Sequence, residues 1–214
     1  MTATMRPPAV VRSAADAVAL GTVLAVWAHP DDEAYLCAGL MALARRAGRR
    51  VVCVTATSGE HGTSDPEAWP PARLASLRTT EMADAMAALG VEEHRWLGFE
   101  DGTLAAVDPA HGTALIARLL DEVQPDTVVS FGPDGMTGHP DHQAIAGWVE
   151  QAWRGREDGS RLLRTGHLRP LARRVAVGNG VPSLVAASVD TVVTVPDSVI
   201  ATPDSVLAPI TRRR

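Results

Sequence analysis

Two short clusters of histidine and aspartate contain most of the chemistry that this sequence could perform. The first cluster is Ala28-His29-Pro30-Asp31-Asp32-Glu33, and the second is Gly138-His139-Pro140-Asp141-His142. Imidazole and carboxylate groups bind zinc, and a carboxylate that stays free beside a metal can accept a proton. Helix capping would explain one such cluster, but it does not readily explain two of the same form. Together the two clusters predict the metal site of a hydrolase.

Each cluster lies where a strand is expected to pass into a helix. The apolar runs Val23–Trp27 and Thr127–Phe131 precede the clusters, and apolar residues with helical spacing follow them. Pro30 favours an extended backbone at the residue before it and suits the first turn of a helix, so we expect Asp31 and Asp32 to begin a helix. Their carboxylates then face the positive end of the helix dipole. Because successive helical residues point in different directions, one aspartate can hold a cation while the other takes up a proton.

Strand and helix patterns alternate along most of the chain. The expected strands cover residues 22–28, 51–57, 95–99 and 127–131, and the expected helices cover residues 33–47, 71–89, 110–123 and 143–153. Four successive βα units predict an α/β fold of the Rossmann-like, doubly wound kind, with a mostly parallel sheet and helices on both faces. In the strand order 3-2-1-4-5, strands one and four are neighbours and the winding reverses between them. That reversal would bring the two clusters together at one crevice.

Length and composition are those of one globular domain. The chain has 214 residues, 46% of them hydrophobic and 21% charged, and we expect a single domain over residues 1–214. A formal charge of −5 argues against nucleic-acid binding, and no uncharged apolar stretch is long enough to cross a membrane. The apolar run at residues 17–28 resembles a signal peptide, but it ends in the first cluster instead of a cleavage site. We therefore expect a cytoplasmic protein with a small-molecule partner, whose oligomeric state the sequence does not give.

The two clusters, in this order, resemble the signature of the PIG-L/LmbE family of zinc-dependent N-deacetylases, whose members act on glucosaminyl-inositol and on mycothiol conjugates. The resemblance covers about residues 20–155. It implies an enzyme that removes an acetyl, or another N-acyl, group from a small amino sugar or its conjugate by attack of a zinc-bound water on the amide. It also implies one zinc ion, or iron in its place, held by His29, Asp32 and His142.

The resemblance further implies three catalytic roles. Asp31 matches the general base, and His139 matches the histidine that stabilises the tetrahedral intermediate and protonates the leaving amine. Asp141 is expected to orient His139 and to favour its charged form. Glu33 is expected to be structural.

Substrate contacts are expected from the polar, glycine-rich loop at residues 58–66, which includes Thr63, and from Arg78 and Asp101, which match family positions. One position departs from the mycothiol-type enzymes, which have a tyrosine where this chain has Thr137. A threonine hydroxyl is too short to replace the phenol, so either the metal and His139 stabilise the oxyanion alone or Tyr35 contributes from the first helix.

Two other classes of function fit parts of the pattern. A nucleotide-binding doubly wound module would need a glycine-rich turn after the first strand, where this chain has the His29 cluster, and the sequence has no lysine to bind phosphate. A non-catalytic metal-binding domain would be expected to lack Asp31 or His139, and both are present.

The atypical segment at residues 155–214 does not match the family; a strand is possible at Val189–Val195, before a near repeat at residues 196–209.

Overall fold

A computed structural model of the protein describes residue 11, residues 14–165, and the backbone of residues 184–187 and 191–194. The strands are β1 (Val23–Trp27), β2 (Val51–Thr57), β3 (Glu93–Phe99), β4 (Thr127–Phe131), β5 (Arg161–Thr165), β6 (Leu184–Ala187) and β7 (Thr191–Thr194). The helices are α1 (Ala14–Ala17), α2 (Asp32–Leu36), α3 (Ala38–Arg46), α4 (Pro71–Leu89), α5 (Pro109–Val123), α6 (Gly135–Gly138) and α7 (Pro140–Arg154), and 3₁₀ turns lie at Val18–Leu20 and Leu104–Ala106.

The strands form one sheet in the order β3-β2-β1-β4-β5-β6-β7. Strands β1 to β5 pair in parallel, and β6 and β7 extend the sheet antiparallel to its β5 edge. Val23 of β1 lies opposite Val51 of β2 on one side and opposite Thr127 of β4 on the other. The sheet confirms the predicted doubly wound α/β fold and the strand order 3-2-1-4-5, with the reversal of winding between β1 and β4.

The central strands are mostly apolar along their whole length because the sheet is covered on both faces. Every residue of β1, β2 and β4 is buried, which an alternating apolar and polar pattern would not allow. Helix α3 packs against α1 and α4, while α5 packs against α7. These two helical layers leave the carboxyl ends of the strands as the edge where polar side chains can gather. Within the described ranges, no helix is both long and apolar enough to cross a membrane.

The helix expected at residues 33–47 is instead two helices, α2 and α3. Cys37 between them has φ −146° and ψ 11°, which are not helical values. The apolar residues on either side, Leu36 and Leu40, still follow helical spacing, so the sequence pattern passes over the break. The short α2 therefore carries the end of the first cluster, and α3 packs in the core.

The segment after α7 also differs from the sequence expectation. Strand β5 lies in an arginine-rich stretch where no strand was expected, and its two buried apolar residues, Leu162 and Leu163, are too few to give a periodic signal. The possible strand at Val189–Val195 is present as the shorter β7. The near repeat at residues 196–209 lies outside the described residues.

Candidate metal centre and active site

The two clusters meet at the carboxyl ends of β1 and β4. Trp27 ends β1 and Phe131 ends β4, and their rings pack edge to face with centroids 5.0 Å apart. Because neighbouring parallel strands end at the same edge of a sheet, residues 28–33 and 132–142 leave the core side by side. The reversal of winding thus brings together residues that are far apart in the sequence.

Three side chains converge with the identities expected of metal ligands. Nδ1 of His29 lies 3.1 Å from Nε2 of His142 and 3.7 Å from Oδ2 of Asp32. Oδ1 of Asp32 lies 3.4 Å from Nε2 of His142. In a tetrahedral zinc site with bonds of about 2.0–2.1 Å, neighbouring ligand atoms lie roughly 3.3 Å apart. Two imidazoles and one carboxylate at these separations fit a divalent metal by type and by spacing.

The His142 ring is held so that only Nε2 faces this group. Its Nδ1 donates a hydrogen bond to the backbone carbonyl oxygen of Gly135 at 2.9 Å. The ring also stacks on Phe131, with centroids 4.1 Å apart and planes 11° apart. A carbonyl oxygen can only accept, so the ring proton lies on Nδ1 and the lone pair lies on Nε2.

The His29 ring is held from its opposite nitrogen. Nε2 lies 3.0 Å from Oδ1 of Asp101 and 3.3 Å from Oδ2 of Asp141. Carboxylates accept hydrogen bonds, so they place the ring proton on Nε2 and the lone pair on Nδ1. Both histidines therefore present a lone pair to the same point, as zinc-binding histidines do.

Two other groups of potential ligands include His29. One combines it with His139 and His142, and the other with Asp101 and Asp141, and the ligand atoms within each group lie within 4.8 Å of one another. The first group includes His139, whose side chain is exposed, and the second uses the nitrogen of His29 that carries the proton. The group with Asp32 combines buried residues with the two ring nitrogens whose lone pairs face each other, so it is the best fit.

Burial and neighbouring charges shift the pKa values of the group. Burial raises the pKa of the Asp32 carboxyl to about 7 and lowers the pKa of His142 to about 4. Burial also acts to lower the pKa of His29, but the hydrogen bond to Asp101 and the charges of Asp32 and Asp101 outweigh it, and the net pKa is raised. Since metal ligands must be deprotonated, a divalent cation would displace the protons that Asp32 and His29 hold.

Asp31 differs from Asp32 in exposure and in backbone conformation. Its side chain is 54% exposed, and its backbone has φ 94° and ψ −26°, a left-handed conformation that is costly for a residue with a Cβ. Its N–H donates to Oε2 of Glu33, which is 1% exposed, and its Oδ2 lies 3.9 Å from Nη2 of Arg78. Partial burial raises the pKa of Asp31, and the positive charge of Arg78 opposes that shift. The carboxylate is therefore open to solvent beside the Arg78 guanidinium, where a bound molecule can reach it.

His139, in the second cluster, lies beside the two histidines among the candidate metal ligands. Its ring centroid is 4.8 Å from that of His29 and 4.9 Å from that of His142. Its Nδ1 accepts the backbone N–H of Asp141 at 3.2 Å, so the proton of the neutral ring lies on Nε2. The exposed ring can present this N–H to a bound molecule.

The Asp141 carboxylate does not make the contact that the sequence suggested. It was expected to orient the His139 ring, but its oxygens accept the backbone N–H groups of Gly102 at 2.8 Å and Leu104 at 3.0 Å. Asp141 is completely buried in the first turn of α7, where its side chain points toward the turn after β3. The backbone of Asp141, and not its carboxylate, contacts His139.

The expected substrate-binding residues differ in their placement. The guanidinium of Arg78 lies beside Asp31 and against the loop backbone, where a Cβ built on Gly59 would lie 2.3 Å from Nη1. Thr63 Oγ1 accepts the N–H of Asp65 within its own loop. Asp101 contacts His29, as described above, which sequence reasoning missed because an acidic pair at a strand end gives no sign of its partner.

The two residues considered as helpers of an oxyanion lie in different surroundings. Thr137 Oγ1 lies 3.5 Å from Nδ1 of His142, on the far side of that ring from the candidate ligand atom. Tyr35 on α2 is 72% exposed.

The Gly135 carbonyl and the Phe131 ring, which hold His142, were also not predicted, since a backbone group and a core aromatic leave no motif.

Residues 24–153 match the family described as "PIG-L: GlcNAc-PI de-N-acetylase", and the chain belongs to this family. The resemblance of the two clusters is thereby confirmed. The match covers β1 through almost all of α7, so it includes every residue of the candidate site.

Two relatives differ in the molecule that their names attach to the amino sugar. A 1D-myo-inositol 2-acetamido-2-deoxy-alpha-D-glucopyranoside deacetylase from Kineococcus radiotolerans is 40% identical over 58% of this chain and 42% of its own length. A probable N-acetyl-alpha-D-glucosaminyl L-malate deacetylase 2 from Bacillus subtilis is 36% identical over 61% of this chain and 59% of its own length. The chain spans about half the length of such relatives.

A similar solved structure is that of N,N'-diacetylchitobiose deacetylase from Pyrococcus horikoshii. It is 25% identical, with a TM-score of 0.57, and the match covers 67% of this chain and 59% of that one. The shared fold agrees with the family assignment.

Proposed function

We propose that the protein is a metal-dependent hydrolase that removes the acetyl group from an N-acetylated amino sugar or its conjugate. The observation that carries the proposal is the convergence of His29 Nδ1, His142 Nε2 and the Asp32 carboxylate, with the exposed Asp31 and His139 beside them. The relatives named above support the substrate class, since each name contains an N-acetylglucosamine unit. The partner on the sugar differs among them, so the proposal covers the sugar and its amide only.

His29, Asp32 and His142 would hold one zinc ion, or iron in its place. Three protein ligands leave a coordination position open, which is the arrangement of catalytic sites. The bound metal would supply a Lewis acid that polarises the amide carbonyl and lowers the pKa of a water molecule. The two hydrogen bonds at the remote ring nitrogens keep the histidines in the tautomers that this binding needs.

Asp31 would act as the general base. It adjoins the ligand Asp32 but is not drawn into the buried group, and its raised pKa brings its proton affinity closer to that required near neutral pH. Its carboxylate would take the proton from the water that attacks the carbonyl carbon. Glu33 would help by holding the Asp31 backbone through the N–H hydrogen bond at 3.2 Å.

His139 would act on the opposite side of the amide. The hydrogen bond from the Asp141 N–H fixes its ring so that Nε2 can donate to the oxygen or to the leaving nitrogen. As the carbon–nitrogen bond breaks, the leaving nitrogen takes up the proton that Asp31 accepted from the water, so a neutral amine leaves and the Asp31 carboxylate is restored. The neutral His139 ring would contribute a hydrogen bond from Nε2, because giving up its only ring proton would leave an imidazolate. Asp141 would contribute through its backbone and by packing α7, since its carboxylate is engaged elsewhere.

Arg78 and Thr63 would contact the sugar at the rim of the site. Arg78 lies beside Asp31, so its remaining N–H groups can reach a hydroxyl of a substrate whose amide is at the metal. The chain has one tyrosine and two phenylalanines, which suits a small polar ligand better than a large flat one.

Acetate release from a panel of N-acetylglucosaminides tests the proposal. The panel would include the inositol, malate and chitobiose compounds, assayed with zinc-loaded protein, with chelator-treated protein, and with zinc restored. We expect release from at least one compound, loss with chelator, and recovery with metal. Cleavage of N-acyl amino acids without cleavage of any glucosaminide would contradict the substrate class, and turnover unaffected by complete metal removal would contradict the mechanism.

A further inference from the structure

We propose that Asp101 is a positioning residue for His29 and that the turn after β3 thereby sets the metal affinity of the site. The inference rests on the proposed metal site, because it assigns a role to a residue that contacts a proposed ligand. Asp101 Oδ1 lies 3.0 Å from Nε2 of His29, and the two side chains are 9% and 12% exposed. This is the spacing of a hydrogen bond between an imidazole N–H and a carboxylate.

Asp101 is better placed than Asp141 to receive the His29 proton. Asp141 Oδ2 lies farther from Nε2, at 3.3 Å, and already accepts the N–H of Gly102, while its other oxygen accepts the N–H of Leu104. The single Nε2 proton therefore goes mainly to Asp101. Asp141 stabilises the turn that carries Asp101, so the two carboxylates act on His29 in different ways.

The Asp101 side chain is itself held by the neighbouring loop. Its Oδ2 accepts the backbone N–H of His61 at 3.0 Å, and its own N–H donates to Oε1 of Glu60 at 3.0 Å. Each carboxylate oxygen thus has a partner within the protein. A substrate hydroxyl would have to compete with these contacts, which favours a positioning role over the substrate-binding role that the family resemblance implies.

A carboxylate on the remote nitrogen has two consequences for a metal ligand. It keeps the proton on Nε2, so the lone pair stays on Nδ1, and it fixes the rotation of the ring toward His142 and Asp32. Partners of this kind typically change metal affinity by about 10 to 100-fold when they are removed. We therefore expect Asp101 to act on metal binding before any substrate is present.

Zinc affinity of the full chain, measured by competition with a chromophoric chelator, tests this inference. We expect Asp101→Ala to raise the Kd about 10 to 100-fold and Asp101→Asn to raise it less, because the amide oxygen can still accept from Nε2. Glu100→Gln is the matched control, since Glu100 is 69% exposed and contacts His61 at 3.5 Å. It removes one charge from the same turn and should leave the Kd unchanged. Thermal melting of each metal-free variant checks that the fold is retained.

The tautomer of His29 in the metal-free protein provides a second measurement, by ¹⁵N-detected NMR of the imidazole nitrogens. At a pH high enough for the His29 ring to be neutral, we expect the Nε2–H tautomer in the wild type and in Glu100→Gln, and a mixture of tautomers in Asp101→Ala. Unchanged zinc affinity in Asp101→Ala, with only KM raised, would overturn the inference and restore a substrate role. A His142→Ala variant that keeps its zinc would contradict the proposed metal site instead, so the two failures are distinguishable.

Discussion

The two clusters share the sequence His-Pro-Asp followed by a proposed metal ligand, yet the structure uses the first and third residues of this sequence in opposite ways. In the first cluster His29 is turned into the site and Asp31 is exposed. In the second cluster His139 is exposed and Asp141 is completely buried. The fourth residues, Asp32 and His142, are buried in both clusters and face each other.

The position at which the helix begins explains this exchange. Helix α7 begins at Pro140, so Asp141 is a helical residue whose side chain reaches Gly102 and Leu104. Helix α2 begins later in its cluster, at Asp32, and Asp31 precedes it with φ 94°. That left-handed residue turns the Asp31 side chain outward. The same motif thus supplies a buried anchor in Asp141, whose carboxylate accepts two backbone N–H groups, and an exposed, free carboxylate in Asp31.

Asp31 and Asp141, the third residues of the two clusters' shared sequence, should differ most in their effect on catalysis. We expect Asp31→Asn to retain the metal and to lose roughly 10² to 10⁴-fold in kcat, because the amide cannot accept the proton from water. Steady-state acetate release with the metal content measured on the same sample would show this. Turnover close to that of the wild type, or a sample without metal, would exclude Asp31 as the general base.

Substitution of Asp141, in contrast, should lower the stability of the fold. Asp141→Ala removes the acceptor for two backbone N–H groups in a buried place, and each unsatisfied donor costs about 1–3 kcal/mol. We expect the free energy of unfolding to fall by about 2–6 kcal/mol in urea denaturation of metal-free protein. Asp31→Ala is the matched control and should change stability by less than about 1 kcal/mol, since exposed side chains contribute little. Equal losses at the two positions would remove the distinction between anchor and free carboxylate.

The left-handed backbone at Asp31 predicts a smaller effect on stability, and this effect is a gain instead of a loss. Glycine adopts positive φ without steric cost, so Asp31→Gly should raise the free energy of unfolding by about 0.5–1 kcal/mol while abolishing catalysis. In Asp31→Ala the Cβ and its steric strain remain, so the free energy of unfolding of that variant should not rise. Unfolding of the two variants side by side, without metal, measures the difference. A glycine variant no more stable than the alanine variant would show that the conformation stores no strain.

A histidine outside both clusters shows what burial alone does. Burial lowers the pKa of His94 on β3 to about 4, and its Nε2 lies 3.0 Å from Thr55 Oγ1. The unfolded chain, with a histidine pKa near 6.5, binds more protons between about pH 4 and 6.5, so stability falls as the pH drops through that window. We expect His94→Gln to make this dependence slightly shallower in metal-free protein, by denaturation at several pH values. An unaltered slope would mean that His94 does not titrate as its burial requires.

Much of the fold follows from local sequence patterns. The bounds of β2, α4 and β4 coincide with the expected ranges, because β-branched runs and an apolar stripe closed by Gly90 mark them sharply. The meeting of the two clusters also follows, since it requires only the strand order. What each side chain touches could not be predicted in the same way. The contacts of Asp101 and Asp141 depend on a turn from a third strand, and the exposure of Asp31 depends on a single φ angle.

The most direct test of the account is the metal content of two variants in one cluster, His139→Ala and His142→Ala. Both remove an imidazole from α7 or its N-terminal boundary, and only His142 presents a lone pair to His29 and Asp32. After zinc loading and desalting, elemental analysis should find about one zinc per chain in the wild type and in His139→Ala, and almost none in His142→Ala. Full occupancy in His142→Ala, or loss of zinc in His139→Ala, would contradict the assignment of ligands on which the account rests.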